Sequence, residues 1–78
     1  MSAYIRIRRT ELTAREVEVL TLVARGWTNA MIARELGVHE ETVKRHLREI
    51  RVMLGAADRA AAVDRGWRRG YLGKEARP

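Results

Sequence analysis

Apolar side chains recur at Leu12, Val19, Leu20, Val23 and Ala24, with the stem of Glu16 between them, and this is helical spacing. In front of the run, Thr13-Ala14-Arg15-Glu16 has the form of a capping box, in which Thr13 accepts from the Glu16 N–H while the Glu16 side chain reaches back. Gly26 is the expected left-handed stop. A second, two-turn helix opens at Thr28 as N-cap and runs to Leu36, with Ile32, Ala33 and Leu36 inward and Gly37 at its end. The third runs from about Glu40 to Leu54. Its Val43, Leu47, Ile50 and Leu54 step by four, three and four residues along one face. The opposite face carries Lys44, Arg45, Arg48 and Arg51, and Gly55 closes the helix. A fourth helix starts at the N-cap Asp58 and continues to about Arg69, with apolar positions Ala62, Val63, Gly66 and Trp67 and Gly70 as stop. Gly66 is either a weak point, at about 1 kcal/mol of helix propensity against Ala, or a site where another helix comes close.

The pattern predicts an all-α fold, a four-helix bundle with a central helix-turn-helix. Residues 12–72 form the domain. Residues 1–11 are expected to be a flexible basic arm; the alternation from Tyr4 to Arg8 would also suit a short strand, but no partner strand is visible. Residues 73–78 are expected to be a flexible tail.

Composition narrows the function classes. At 78 residues the chain has room for one domain, so a stand-alone module without a sensor domain is expected. It has no Cys, which excludes disulfides, thiolate metal sites and Cys nucleophiles. No apolar run approaches the roughly 20 residues that cross a bilayer, and Met1 to Arg9 contains no signal-peptide core, so the cytoplasm is the expected compartment. Lys plus Arg number 16 against 10 acidic residues, a net charge of +6 that points to an anionic partner, nucleic acid first and a lipid surface second.

The short Gly37-Val38-His39 connection makes helices two and three cross steeply and pack through Ile32, Leu36, Val43 and Leu47. The third helix then protrudes with its basic side free. A helix fits the major groove of B-DNA, where Arg and Lys donate to guanine O6 and N7. The N-terminal half, with Lys44, Arg45 and Arg48, is the part that reaches base edges. The plainer reading is a solvated face with i,i+4 pairs, Glu40–Lys44 and Glu41–Arg45. Such pairs are worth only about 0.2–0.5 kcal/mol and would not hold the cations away from DNA.

Leu12 to Leu20, Gly26-Trp27-Thr28-Asn29, Ile32-Ala33, Thr42-Val43-Lys44-Arg45-His46-Leu47, Leu54-Gly55, Arg59 and Ala62-Val63 together resemble the LuxR/GerE-type helix-turn-helix domain, the output domain of NarL/FixJ-type regulators. The resemblance spans roughly residues 12–72. It implies a DNA-binding domain of bacterial or phage transcription regulators, with Lys44, Arg45 and Arg48 facing bases. It also implies backbone contacts from Thr28, Asn29, Thr42 and His46, with Arg51 further along the basic face, and a homodimer through Ala62, Val63, Gly66 and Trp67 of the fourth helix. Dimers would bind inverted repeats. The family usually has Glu where Met31 stands and Ser or Thr where His39 stands, so the second capping box is incomplete and the third helix lacks its best N-cap. Arg45 occupies a variable position of the family, a source of individual sequence preference.

Other chemistry has little foothold. His39 and His46 stand about two turns apart, too far to chelate one ion, and no metal or other cofactor is expected. His46 is a phosphate donor or a core-edge residue. Glu16 is structural and Trp27 covers the core between the first two helices, while Trp67 and Tyr71 are core-edge or dimer residues. Gly66 and Gly70 have the spacing of a membrane helix-packing motif, but Arg65, Arg68 and Arg69 rule out insertion. No Ser/His/Asp cluster or phosphate-cradling glycine loop appears, so an enzyme is not expected. The rival function is a protein-interaction adaptor that uses the same helices to bind a polymerase subunit or another regulator.

Overall fold

The computed structural model describes residues 9–78. Among the described residues the elements are α1 (Ala14–Ala24), α2 (Asn29–Leu36), α3 (Glu40–Leu54), α4 (Arg59–Arg68) and a single 3-10 turn, Lys74–Ala76. This is the all-α helical fold that the periodicity predicts.

Local chemistry starts and stops each helix. Thr13 Oγ1 accepts from the Glu16 N–H at 3.1 Å and Glu16 Oε1 accepts from the Thr13 N–H at 3.0 Å, completing the capping box of α1. Thr28 and Asp58 cap α2 and α4 by accepting from the N–H groups of Met31 and Ala61. His39 caps α3 in extended geometry but with no side-chain hydrogen bond. Gly37 ends α2 at φ +69°, and the Val38 N–H reaches back to the Ala33 carbonyl at 3.0 Å. A Cβ at Gly37 would meet nothing within 4 Å, so glycine is needed there for its backbone angle and not for space.

α3 is the central element and packs against α1, α2 and α4. Its Val43 and Ile50 are fully buried, as are Val19 and Leu20 of α1, Ile32 of α2 and Ala62 of α4. α2 packs on α3 and α1, and α4 packs on α3 and α1 from elsewhere in the bundle.

Four expectations change. The first eight residues of the basic arm lie outside the described residues, but Arg9 to Leu12 are tied to the domain. Both oxygens of Glu16 accept from the Arg9 guanidinium, at 2.7 and 2.6 Å, and Leu12 is buried. Residues 73–78 are not a free tail, because Ala76 is fully buried and the Lys74–Ala76 turn packs on α1. Gly66 does mark a close approach, but within the chain. A Cβ there would stand 2.8 Å from Leu20 Cδ2 and 3.1 Å from Leu72 Cδ1. Ala62 and Gly66 thus face their own core and present no surface to a second copy, leaving Val63 at the core margin and Trp67 exposed. Finally, the ion pair at the start of α3 is Glu41–Lys44, at i,i+3 spacing, in place of the two expected i,i+4 pairs.

Candidate nucleic-acid interface

The burial of Val43, Leu47, Ile50 and Leu54 fixes the rotation of α3 about its axis. At about 100° per residue, Arg45 then falls directly opposite the buried face with Arg48 beside it, and Lys44 and Arg51 lie on one flank. All four are exposed. Lys44 Nζ lies 3.4 Å from Glu41 Oε2, and both ends of that pair are open to water, so it holds the lysine weakly. Arg45 and Arg48 have no hydrogen-bond or ion-pair partner among the described residues. Arg51 is less free, since its Nη2 donates to the Ala57 carbonyl at 3.1 Å.

The residues expected at the DNA backbone are in three different situations. Thr28 is exposed, and its hydroxyl oxygen is already committed as the cap of α2. Asn29 is half-buried, and its Oδ1 accepts from Arg59 Nη1 at 2.7 Å. Thr42 and His46 are half-buried on α3. His46 Nδ1 is sealed from solvent with no hydrogen-bond partner.

His46 turns toward a charged cluster on the side of the helix away from Lys44. One of its ring nitrogens lies within 4.8 Å of carboxylate oxygens of both Glu16 and Glu49. The three could hold a cation by geometry alone, but Glu16 is already saturated by Arg9 and by the Thr13 N–H. The second arm of the cluster is Arg9 Nη2 to Glu49 at 3.9 Å. Burial pushes the Glu16 carboxyl up, but the Arg9 hydrogen bonds, the Thr13 N–H and the Arg9 charge together hold it below the usual carboxylate range. The hydrogen bond to Glu16 raises Arg9 in turn, against the effect of burial. The cluster joins the segment before α1 to the side of α3.

Arginines also gather at the other end of α3. Arg65 Nη1 donates to the Leu54 carbonyl at 3.2 Å, and Arg69 reaches the Met53 carbonyl at 3.5 Å. With Arg51 they oppose the negative end of the helix dipole. Arg77, just after the 3-10 turn, places its guanidinium 5.4 Å over the ring of Trp67 on α4. The Tyr71 hydroxyl accepts from the Leu12 N–H at 3.2 Å and donates to Glu11 Oε1 at 2.8 Å, which makes Tyr71 a core-edge residue. Trp27 packs on the core margin as expected, with Arg25 over its ring at 5.6 Å.

Sequence reasoning gave no role to Arg9 or Arg59. Arg59 sits at the first position of α4, and its Nη2 donates to the Trp27 carbonyl at 2.8 Å while Nη1 holds Asn29. The partners lie 30 and 32 residues away, so no local pattern announces them.

No helix of the described residues is long and apolar enough to cross a membrane. Residues 10–65 match the family described as bacterial regulatory proteins, luxR family. The chain is similar to the probable transcriptional regulatory protein SgaR of Hyphomicrobium methylovorum, with 50% identity over 52 residues that cover 67% of this chain and 25% of that protein. It is also similar to the HTH-type transcriptional activator RamA of Corynebacterium glutamicum, with 46% identity over 69 residues that cover 87% of this chain and 25% of that protein. The chain thus spans about a quarter of the length of these relatives. No solved structure matches it. The matched residues run through all of α1, α2 and α3 and into α4, and on that ground the chain belongs to the LuxR family of bacterial regulatory proteins.

Proposed function

We propose that the domain binds double-stranded DNA as part of a transcription regulator, with α3 in the major groove. The observation that carries this reading is the division of α3 into a face sealed in the core and an opposite face of exposed cations, of which Arg45 and Arg48 have no protein partner among the described residues. Lys44, Arg45 and Arg48 donate to base edges, where each well-formed bidentate pair is worth about 1–3 kcal/mol of discrimination. Thr28, Asn29, Thr42, His46 and Arg51 meet the DNA backbone. At the start of α2, Thr28 and Asn29 sit where free backbone N–H groups suit an anion. His46 contributes through the ring nitrogen that is not sealed, and Arg51 through the donors that Ala57 does not take.

The dimer follows the same reading in reduced form. Two copies pair through α4 with Val63 and Trp67 at the contact and Ala62 and Gly66 behind them. Two α3 helices then lie about one DNA turn apart on an inverted repeat. Selecting bound duplexes from a random oligonucleotide pool, with affinity measured at several salt concentrations, tests the whole reading. The expected result is an enriched inverted repeat. Affinity falls as salt rises, with a log–log slope of about −0.9 for each phosphate that a cation neutralises. Binding without any enriched sequence removes base reading by Lys44, Arg45 and Arg48. No binding even at low salt removes DNA as the partner and leaves the protein-interaction adaptor.

A further inference from the structure

We propose that Arg59 is a positioning residue that fixes the Asn29 side-chain amide in the one orientation that offers its N–H donors to a DNA phosphate. The inference rests on the DNA-binding reading and adds a residue to it. A guanidinium carries five donors and no acceptor, so the Asn29 atom it touches must be the oxygen. That contact is 2.7 Å, and the second nitrogen of the same guanidinium holds the Trp27 carbonyl at 2.8 Å. Arg59 therefore bridges the residue before the α2 N-cap and the residue after it, from the first position of α4. With Oδ1 taken, the opposite branch of the planar amide is Nδ2. That nitrogen has no hydrogen-bond partner among the described residues and is not among the polar atoms sealed from solvent.

Without Arg59 the amide is free to rotate by 180° about its terminal torsion, a broad two-fold well, and half of its orientations would present oxygen to the phosphate. The lock removes that half in advance. It also keeps a full positive charge beside the anion, because both partners of the guanidinium are neutral and Arg59 forms no ion pair among the described residues. Glu40 lines the same groove with Trp27, Thr28, Asn29 and Arg59, which makes the orientation of the amide more consequential, since one acceptor already faces that space.

A phosphate contact weakens binding to all sequences alike, so a mixed-sequence duplex at low salt serves as probe without knowledge of the operator. Three variants are compared with the unmodified chain: Asn29→Ala, Arg59→Met and the double variant, each with a thermal melt. The positioning claim expects Asn29→Ala and Arg59→Met each to weaken binding severalfold, and Arg59→Met to cost much less when Asn29 is already Ala. Equal losses from Arg59→Met in both backgrounds would show a structural or purely electrostatic arginine and overturn the claim. Should Arg59→Met melt below the assay temperature, Asn29→Asp replaces it. That carboxylate keeps Arg59 paired and the domain folded, and binding falls at least about tenfold because an anion now faces the phosphate. Unchanged binding by a folded Asn29→Asp overturns the claim as well. If the unmodified chain binds no duplex at all, the DNA reading fails and takes this inference with it; binding by the unmodified chain with additive losses sinks the inference alone.

Discussion

Replacing Arg9 by Met tests whether the segment before α1 belongs to the domain. A free arm would lose nothing measurable in stability. In the structure the substitution removes two charge-assisted hydrogen bonds, at 2.7 and 2.6 Å, from a Glu16 side chain that is only 2% exposed. Breaking a buried pair by deleting one partner costs about 3–5 kcal/mol, because the remaining charge is stranded. Two features lower that figure here. Arg9 itself is 29% exposed, so water can enter its place, and the Thr13 N–H at 3.0 Å still solvates Glu16. About 2–4 kcal/mol is the resulting expectation, a large part of the roughly 4–12 kcal/mol available to a domain of this length. At about 4–8 °C per kcal/mol, the midpoint of a thermal melt falls by on the order of 10–30 °C.

The sign of the pH dependence separates this account from a generic loss of packing. In the unmodified chain the folded Glu16 carboxyl lies below its unfolded value, so the unfolded state binds the proton more readily. Its contribution is fully present above the usual carboxylate range and is lost as the pH falls through the depressed folded value. In Arg9→Met, burial is left as the dominant influence and lifts the folded carboxyl above its unfolded value. Acidification through that raised value then favours the folded state, and the difference between variant and parent shrinks. Melts at several values between about pH 4 and 7 measure this directly. A variant within about 0.5 kcal/mol of the parent, or a penalty that stays constant across that range, refutes the argument.

Three further outcomes follow from other parts of the molecule. Gly66→Ala gains about 1 kcal/mol of helix propensity but loses about 1–3 kcal/mol to overpacking against Leu20 and Leu72, so its melting temperature should not rise; a clear rise would mean that the two leucines give way freely. His39→Ser places a capping hydroxyl where the backbone already has N-cap geometry, φ −77° and ψ 152°, and should add about 1 kcal/mol in a urea titration; no gain would show that the N–H groups at the start of α3 are already served. Lys44→Ala should weaken binding to a selected duplex far more than to a mixed-sequence one in parallel titrations, and equal losses would move Lys44 from the bases to the phosphates.

What the sequence shows and what it hides differ by the range of the interaction. The Thr13 capping box, the Gly37 stop and the Asp58 cap act within three or four residues, and each stands where its local pattern puts it. The rotation of α3 is equally legible, because four apolar residues at steps of four, three and four admit one buried face. α4 is harder to read. Ala62, Val63, Gly66 and Trp67 form a stripe about 140° wide at 100° per residue, and nothing in that spacing says which flank is inside. The contacts of Leu20 and Leu72 settle it, and both come from elsewhere in the chain. The same holds for Tyr71 with Leu12 and Glu11, at separations of 59 and 60 residues, and for Arg59 with Asn29 at 30. Lys74–Ala76 is a related case, a polar tail by composition in which one small residue, Ala76, finds a fully buried seat beside α1.

The basic residues divide by the kind of acceptor that each one finds, and this bears on how a net charge of +6 translates into an interface. Arg9 is neutralised by Glu16, and Arg68 pairs with Asp64 at 2.9 Å. Arg51, Arg65 and Arg69 bind carbonyls at or just beyond the end of α3, where their charge opposes the helix dipole and steadies the C-terminal turn. Arg59 binds neutral oxygens at the start of α2 and keeps its charge. Arg25 and Arg77 lie over the rings of Trp27 and Trp67, and Arg34 on α2 and the neighbouring pair Arg45 and Arg48 on the outer face of α3 are exposed without an acceptor from the described residues. A guanidinium that finds no partner in its own fold has nothing to give up when it meets a base edge or a phosphate. One already seated on a carbonyl must break that contact first. The surplus of positive charge is therefore a poor count of binding residues, and the unmatched donors of Arg45 and Arg48, with the loosely paired Lys44, are the better guide to where an anionic partner sits.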